Sequence, residues 1–210
     1  MKYLLIPFLT FAMVLMSFSC GSVSPYQSIY EAPADDAWAT ELPDGLGAGI
    51  QVFDEYTLFI RYTNHTGTDI ELTTYYAFAD ENQAEIGQGI ATRFYFPDGT
   101  DYVAMLDSPE PFTYYRLALE TAAAPERLSR VYDGLQIDAV RQFDGSVLLN
   151  CSYVGNDGVS VDGEVVFLGE NDVILGCESF GLGFSGRTDI RIAAPGYDYT
   201  DYILSYEPFA

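Results

Sequence analysis

Apolar and polar residues alternate along most of the chain beyond residue 49. In the segment 69–79, Ile70, Leu72, Tyr76 and Phe78 share one parity, and Asp69, Glu71 and Thr73 share the other. A period of two with one apolar face predicts a half-buried β-strand. Helix-period segments are nearly absent, so the pattern predicts an all-β protein.

Twelve strands are predicted from this alternation and from the Gly, Asn and Asp residues that separate the segments. They lie near 49–54, 57–64, 69–79, 85–96, 101–106 and 113–120, and then near 135–143, 146–154, 159–168, 173–184, 189–194 and 200–208. Short strands joined by turns of this composition are typical of an antiparallel β-sandwich.

The second half of the chain repeats the first. Residues 78–87 (FADENQAEIG) return 89 positions later as residues 167–176 (FLGENDVILG), with Phe, Glu, Asn and Gly in the same columns. Self-similarity at a fixed offset indicates a duplicated structural unit. We therefore predict two tandem immunoglobulin-like β-sandwiches: module 1 at 49–120 and module 2 at 135–210, joined by a linker at 121–134 in which Pro125 opens a short helical turn.

The repeated motif itself is interpreted as a turn. Phe78 and Phe167 end a strand on the inward parity, and Asn82 and Asn171 follow in the turn, where Asn readily adopts the left-handed conformation. The segments 78–82 and 167–171 resemble the hairpin of FxLYD-type immunoglobulin-like modules, which occur in tandem in bacterial lipoproteins. The resemblance implies a surface-anchored, non-enzymatic module and assigns no functional residue.

The N-terminus has the features of an export signal. Lys2 precedes an apolar run over residues 3–18, and small residues surround Cys20. The signal, 1–19, resembles that of a bacterial lipoprotein, which implies lipidation of Cys20 and attachment to the membrane of the cell envelope. Cleavage by an ordinary signal peptidase, giving a secreted soluble protein, is the alternative. Residues 20–48 are predicted to form an acidic, flexible tether. Trp38 is the exception within it, because this side chain can dock on module 1 instead.

Composition excludes several functions. The formal net charge is −22 and Lys2 is the only lysine in the sequence. A strongly acidic surface repels nucleic acids, and a mature chain without lysine cannot form a lysine Schiff base. We expect no nucleic-acid partner.

The candidate catalytic and cofactor motifs are weak. Gly181, Gly183 and Gly186 match the dinucleotide fingerprint, but a strand pattern follows where a helix is required, so no cofactor is predicted. His65, the single histidine, lies in a polar turn without a nucleophile motif, and an enzyme is not expected. The acidic loops 98–101, 156–157 and 198–201 lack the spacing of a calcium loop, and the cysteines lack that of a zinc site, so no metal site is predicted.

Two pairs of residues remain as candidates. Cys151 and Cys177 either form a disulfide outside the cytoplasm or include a buried free thiol at Cys151, which shares its parity with Leu149. Tyr197 and Tyr199 belong to a tyrosine-rich segment whose exposed rings can contact a glycan, although packing explains them as well. The sequence thus favours a non-catalytic binding or spacer protein with an envelope or extracellular protein as partner, and a glycan-binding surface protein is the alternative.

Overall fold

The structure, a computed structural model, describes residues 42–155, 157–193 and 195–209, with the backbone alone for Phe209. The predicted signal 1–19, Cys20 and Trp38 lie outside these residues.

The described chain is mostly β-strands with one short helix, which confirms the predicted all-β class. The first six strands are β1 (Leu46–Val52), β2 (Thr57–Asn64), β3 (Ile70–Ala79), β4 (Glu85–Phe96), β5 (Asp101–Asp107) and β6 (Tyr114–Ala123). A helix, α1 (Glu126–Asp133), leads to β7 (Leu135–Arg141), β8 (Val147–Tyr153), β9 (Val159–Leu168), β10 (Ile174–Phe184), β11 (Gly186–Ile192) and β12 (Asp201–Phe209), with a 3₁₀ turn at Glu170–Asp172. The predicted end of the tether at residue 48 is wrong, because Leu46 is already buried in the core at the start of β1.

The strands form four antiparallel three-stranded sheets, ordered β1-β2-β5, β4-β3-β6, β11-β8-β7 and β10-β9-β12. The first two sheets enclose one apolar core, in which Leu58, Leu72 and Phe78 are buried. The last two enclose another around Leu149, Val161 and Phe167. Each half is therefore a β-sandwich whose inward faces are the apolar parities of the sequence.

The repeat is visible in the strand register. Phe78 lies opposite Gly87 on one side and Tyr115 on the other, and Phe167 lies opposite Gly176 and Tyr202 in the same way. Each phenylalanine packs against an aromatic ring from the loop before the last strand. The ring centroids are 4.7 Å apart for Phe78 and Phe112 and 4.8 Å apart for Phe167 and Tyr199.

The hairpin after each phenylalanine is a turn, but its geometry differs in part from the prediction. Asn171 has a φ of 58°, as expected. In module 1 the left-handed residue is Gln83 rather than Asn82, with a φ of 65°. The reason is the Asp80 carboxylate, which accepts hydrogen bonds from the backbone N–H groups of Asn82 and Ala84 and thereby fixes the first part of the turn.

The two modules pack against each other through different sheets. The outer face of β1-β2-β5 contributes Phe59 and Val103, and the outer face of β10-β9-β12 contributes Val166, Leu168, Ile174 and Ile203 to a shared buried cluster. At the edge of this cluster the Gln51 side-chain amide both donates to the carbonyl of Ile174 and accepts from its N–H, each at 2.8 Å. This apolar contact holds the modules in one relative orientation.

The linker strengthens this contact. The helical turn predicted at Pro125 is present as α1, whose Leu128 is buried. Tyr132 on α1 stacks on Tyr206 of module 2, with ring centroids 5.4 Å apart, and packs at 4.8 Å against Tyr95 of module 1. The helix therefore contacts both modules.

Candidate functional site

The interface between the modules has an apolar half and a polar half, and the strand β9 runs through both. Val166 and Leu168 face module 1 in the apolar half. Asp162 and Glu164 precede them on the same outward parity and line a cleft. Because side chains on one face of a strand recur every second residue, the four side chains form one row that changes from acidic to apolar.

The cleft has a volume of about 430 Å³ and lies where the edge of module 1 meets the outer face of β10-β9-β12. Its lining residues come from β4, β5, β9, β10 and β12: Arg93, Tyr102, Asp162, Gly163, Glu164, Ser179, Phe180, Gly181 and Glu207. A cleft at a domain interface with convergent polar groups is the common setting of a ligand site.

Arg93 is the basic residue of the cleft and connects the modules. Its side chain is 8% exposed and lies 3.8 Å from a carboxylate oxygen of Glu207. The guanidinium also donates to the carbonyl oxygens of Tyr95 and Tyr206, and it lies 5.0 Å above the centre of the Tyr102 ring. Burial lowers the pKa of Arg93 and the nearby Glu207 carboxylate raises it, so the two influences oppose each other.

Glu207 completes the connection from module 2. Its carboxylate accepts hydrogen bonds from the backbone N–H groups of Phe94 (3.0 Å) and Tyr95 (3.3 Å) of module 1. Burial raises the pKa of Glu207, while Arg93 and these two N–H groups act in the opposite direction. One carboxylate thereby satisfies a buried cation and two donors of a neighbouring strand.

Glu164 has a different environment. Burial raises the pKa of its carboxyl group, Arg93 opposes that rise, and the negative charge of Glu207 adds to it. Burial also raises the pKa of Tyr102 to about 12, so this phenol stays neutral at physiological pH. The cleft therefore holds a half-buried acid whose charged form is not fully compensated.

Replacement of Glu164 by Gln is expected to stabilise the protein at pH 7 by up to about 1 kcal/mol. The folded-state pKa of Glu164 lies above the ordinary value of 4.5, so the ionised carboxylate costs stability at neutral pH and this cost disappears as the pH falls towards that value. Urea unfolding at several pH values measures the difference between E164Q and the parent. The exposed Glu81→Gln variant serves as the control, and a gain from E164Q that grows at acidic pH would contradict the assignment.

Tyr197 and Tyr199 do not line this cleft. Tyr199 is 5% exposed, packs in the core of module 2, donates from its hydroxyl to the carbonyl of Gly145 at 2.8 Å and is covered by Arg141. Of the two interpretations left open for Tyr199, packing therefore applies and ligand contact does not, and its side chain fills the place that Phe112 has in module 1. Tyr197 is 41% exposed and lies edge-on to Phe167.

Cys151 and Cys177 are both free, so the disulfide is not formed. Cys151 points into the core of module 2, and Cys177 lies on the outer face, where it packs against the shared cluster of the interface. Cys151 thus faces the core from the sheet β11-β8-β7, whereas Cys177 lies on the far side of the sheet β10-β9-β12, so the two sulfur atoms cannot meet. The Cys177 sulfur is 3.7 Å from the Met105 sulfur of module 1.

Thiol reagents are expected to react slowly with Cys151 and Cys177 in the folded protein. The experiment uses the Cys20→Ser variant, so that these two are the only cysteines. Burial raises the pKa of Cys177 to about 11, which reduces its thiolate fraction at pH 8 by about 100-fold relative to an ordinary cysteine. Labelling at pH 8, followed by mass spectrometry, should show two slow sites that become fast in guanidinium chloride without a reductant. Labelling of both sites only after prior reduction would show a disulfide instead.

The remaining sequence candidates are separate from the cleft. Gly181 and Gly183 lie within β10, and Gly186 begins β11, so a strand follows the fingerprint as predicted. His65 is exposed in the turn between β2 and β3. In the acidic loop 98–101, Asp98 accepts from the N–H of Gly67, and Asp101 pairs with Arg61 at 2.6 Å. The described residues contain no group of three or more metal-ligating side chains suited to an ion.

Comparisons with known proteins add little to this geometry. No family model matches the chain, and no curated protein matches it significantly. Among solved structures, the crystal structure of red sea bream transglutaminase is similar over 72% of this chain, with 12% sequence identity and a TM-score of 0.23. The chain spans only 27% of that protein, and nothing about activity is carried over from it. No helix within the described ranges has the length and hydropathy needed to cross a membrane.

Proposed function

We propose that this chain is a non-catalytic binding and spacer protein, held at the bacterial cell envelope by a lipid on Cys20. Its two modules belong, in this proposal, with the immunoglobulin-like modules of bacterial lipoproteins. The export-signal pattern before Cys20 supports the anchor. The single observation that carries the spacer role is the buried contact between the modules.

A spacer must keep a defined shape, and the interface supports this requirement at three separate places. The apolar cluster that contains Phe59 and Val166 is buried between the modules. Beside it, Arg93 of module 1 pairs with Glu207 of module 2. The third contact is made by Tyr132 of α1, which stacks on Tyr206. The main charged groups of the cleft, Arg93 and Glu207, thus already hold the modules together. This use of the charged pair supports a role without catalysis.

The anchor is tested by growing cells that express the full chain with an alkyne fatty acid. The parent protein should carry the label and sediment with the membrane fraction, and Cys20→Ser should lose the label and become soluble. Cys177→Ser is the matched control and should keep both properties. An unlabelled parent protein in the culture medium would indicate the secreted form instead, and a labelled Cys20→Ser protein would exclude Cys20 as the attachment point.

The partner class is tested by capture from intact cells with the lipidated protein as bait and by a glycan array. A protein partner is the expected result. Glycan binding through tyrosines is the alternative. Because Tyr199 is buried in the core, this alternative depends on Tyr197. Array binding that disappears with Tyr197→Ala would overturn the preference for a protein partner.

A further inference from the structure

One side of module 1 has core residues that are incompletely covered. The strands β1 and β6 lie at the edges of the two sheets. On β1 the core-facing residues Ala48, Ile50 and Val52 pack against the core but are only partly buried. On β6 the same holds for Leu117 and Leu119. Apolar side chains along these two strands are therefore in contact with solvent.

In module 2 the equivalent side is covered by a helix. In the sheet orders, β7 and β12 have the positions that β1 and β6 have in module 1, and α1 contacts both of them. Val131 of the helix packs against the core of module 2, and Tyr132 stacks on Tyr206 of β12. The segment that directly precedes the first strand of module 2 thus closes that side of the sandwich.

The strand register identifies the docking position of this helix in module 1. Leu119 lies opposite Thr74, and Tyr206 lies opposite Gly163, which is 89 residues further along the chain than Thr74. Leu119 therefore has, in module 1, the place of the ring on which Tyr132 stacks. An aliphatic side chain at this position offers an apolar surface to the segment that precedes β1.

The chain also enters the two modules at the same place. The backbone before each first strand makes the same hydrogen bond at 2.8 Å, from His65 N–H to the Gly45 carbonyl in module 1 and from Val154 N–H to the Gly134 carbonyl in module 2. Leu42, at the start of the described chain, packs against the core of module 1, and Val131, 89 positions later, packs against that of module 2. Leu42 is thus the first residue of a cover on module 1.

We propose that residues 36–41 complete this cover, with Trp38 packed over the partly exposed core between β1 and β6. The duplicated architecture supports this occupant, because the segment at the same offset from the next module has this role. A tryptophan side chain buries about 150 to 250 Å² of surface, which suits an apolar strip of a few aliphatic side chains. A second copy of the chain is a poorer occupant, because a formal charge of −22 opposes self-association.

The position of Trp38 relative to Leu42 fits this proposal. Residues four apart lie on one side of the chain both in a helix and in a strand, so Trp38 shares the side of Leu42 in either conformation. The backbone enters the two modules with different torsions, since φ is 86° at Gly45 and −88° at Gly134. The proposal therefore assigns the place of α1 to residues 36–41 but does not require its helix.

This contact sets the reach of the tether. Only residues 20–35 remain between a lipid on Cys20 and the fold, and they span at most about 55 Å when fully extended, against about 90 Å for residues 20–45. The proposal thereby deepens the spacer role. It rests on the structure of the modules and not on the anchor, so the fatty-acid labelling result and the result below can fail independently.

Trp38 is the only tryptophan of the sequence, so its signals report on this contact alone. In the full chain carrying Cys20→Ser, nuclear Overhauser contacts are expected from the indole protons to methyl groups of Ile50 and Leu119. Acrylamide should quench the fluorescence several-fold less in the folded protein than in guanidinium chloride. An intramolecular contact also requires that this protection is unchanged on dilution.

Two variants locate the contact. Leu119→Asn removes apolar surface under the indole and should raise the acrylamide quenching constant several-fold, whereas Val140→Asn, at an exposed position on β7, is the matched control and should leave it unchanged. Trp38→Ala should shift the methyl signals of Ile50 and Leu119 but not those of Leu204 on β12. Circular dichroism spectra confirm that the variants are folded.

Four results would overturn the proposal. The first is a set of indole contacts to another surface of the protein, and the second is quenching as strong in the folded as in the unfolded chain. The third is protection that is lost on dilution, which would show that a second copy supplies the cover. The fourth is an equal effect of Leu119→Asn and Val140→Asn on quenching, which would show that the indole does not lie on β6.

Discussion

Replacement of Phe167 by Ala is expected to lower the free energy of unfolding by about 3 to 5 kcal/mol. The Phe167 ring is fully buried between Tyr199 and Tyr197 in the core of module 2. Removing it loses the burial of the ring and leaves a cavity that the surrounding strands cannot fill. Urea unfolding followed by tyrosine fluorescence and circular dichroism measures the change.

Phe78→Ala should cost a similar amount, because Phe78 is 1% exposed and has the equivalent strand partners and ring contact in module 1. Phe143, which is fully exposed in the turn between β7 and β8, provides the control. Its replacement by Ala should change stability by less than about 0.5 kcal/mol. A large cost at one of the two core positions and a small cost at the other would contradict the structural equivalence of the modules.

The second large effect is expected at Arg93. Arg93→Met should destabilise the protein by about 3 to 5 kcal/mol, because it leaves the buried carboxylate of Glu207 without its cation. The two carbonyl groups that accept from the guanidinium would lose their donor as well. Since Glu207 belongs to module 2 and Arg93 to module 1, the loss should also separate the unfolding transitions of the modules.

A double-mutant cycle isolates the charge contribution. Arg93→Met combined with Glu207→Gln should be clearly less damaging than the sum of the two single changes, because no unpaired buried charge remains. Arg187→Met, at an exposed position on β11, is the control and should be nearly neutral. Additive costs for Arg93→Met and Glu207→Gln would show that the ion pair contributes little across the interface.

The strands and the two cores could be predicted from the sequence because they depend on local alternation. The period of two identifies Ile70, Leu72 and Phe78 as residues of the core-facing side of their strand. The Gly, Asn and Asp residues between the segments indicate the turns. The offset of 89 residues correctly aligned Phe78 with Phe167, although the backbone torsion of Asn82 did not follow from it. That torsion depends on Asp80, which has no counterpart at Gly169.

The packing of the modules was not predicted, although a signal was present. The run 165–168 is apolar at every position, and so is 58–60. An uninterrupted apolar strand indicates burial on both faces, whereas a strand with one face in water alternates. The second apolar parity therefore indicates that Phe59 and Val166 are each buried against another surface, and the structure shows that both belong to the cluster between the modules.

The residues of the cleft and the state of the cysteines depend on three-dimensional arrangement. Arg93 lies opposite Leu72 in the register, at a position where the alternation predicts an apolar, core-facing residue. The sequence therefore marks Arg93 as unusual, but it does not identify Glu207 as its partner. The sequence separation of Cys151 and Cys177 is compatible with a disulfide. The disulfide is excluded only by the sheet faces on which the two side chains lie. Tyr199 belongs to a loop, where parity carries no information about burial.

The two modules meet head to tail, since each contributes a different one of its two sheets. Such a contact is not closed by symmetry and would in principle add further units at either end. The exposed sheet of module 1 instead carries Arg116 beside Glu85 and a hydrogen bond from Tyr75 to Glu120, and that of module 2 carries Arg191 beside Asp144. Polar outer faces of this kind are typical of the terminal units of tandem arrays, and they disfavour the addition of a further module through the same contact.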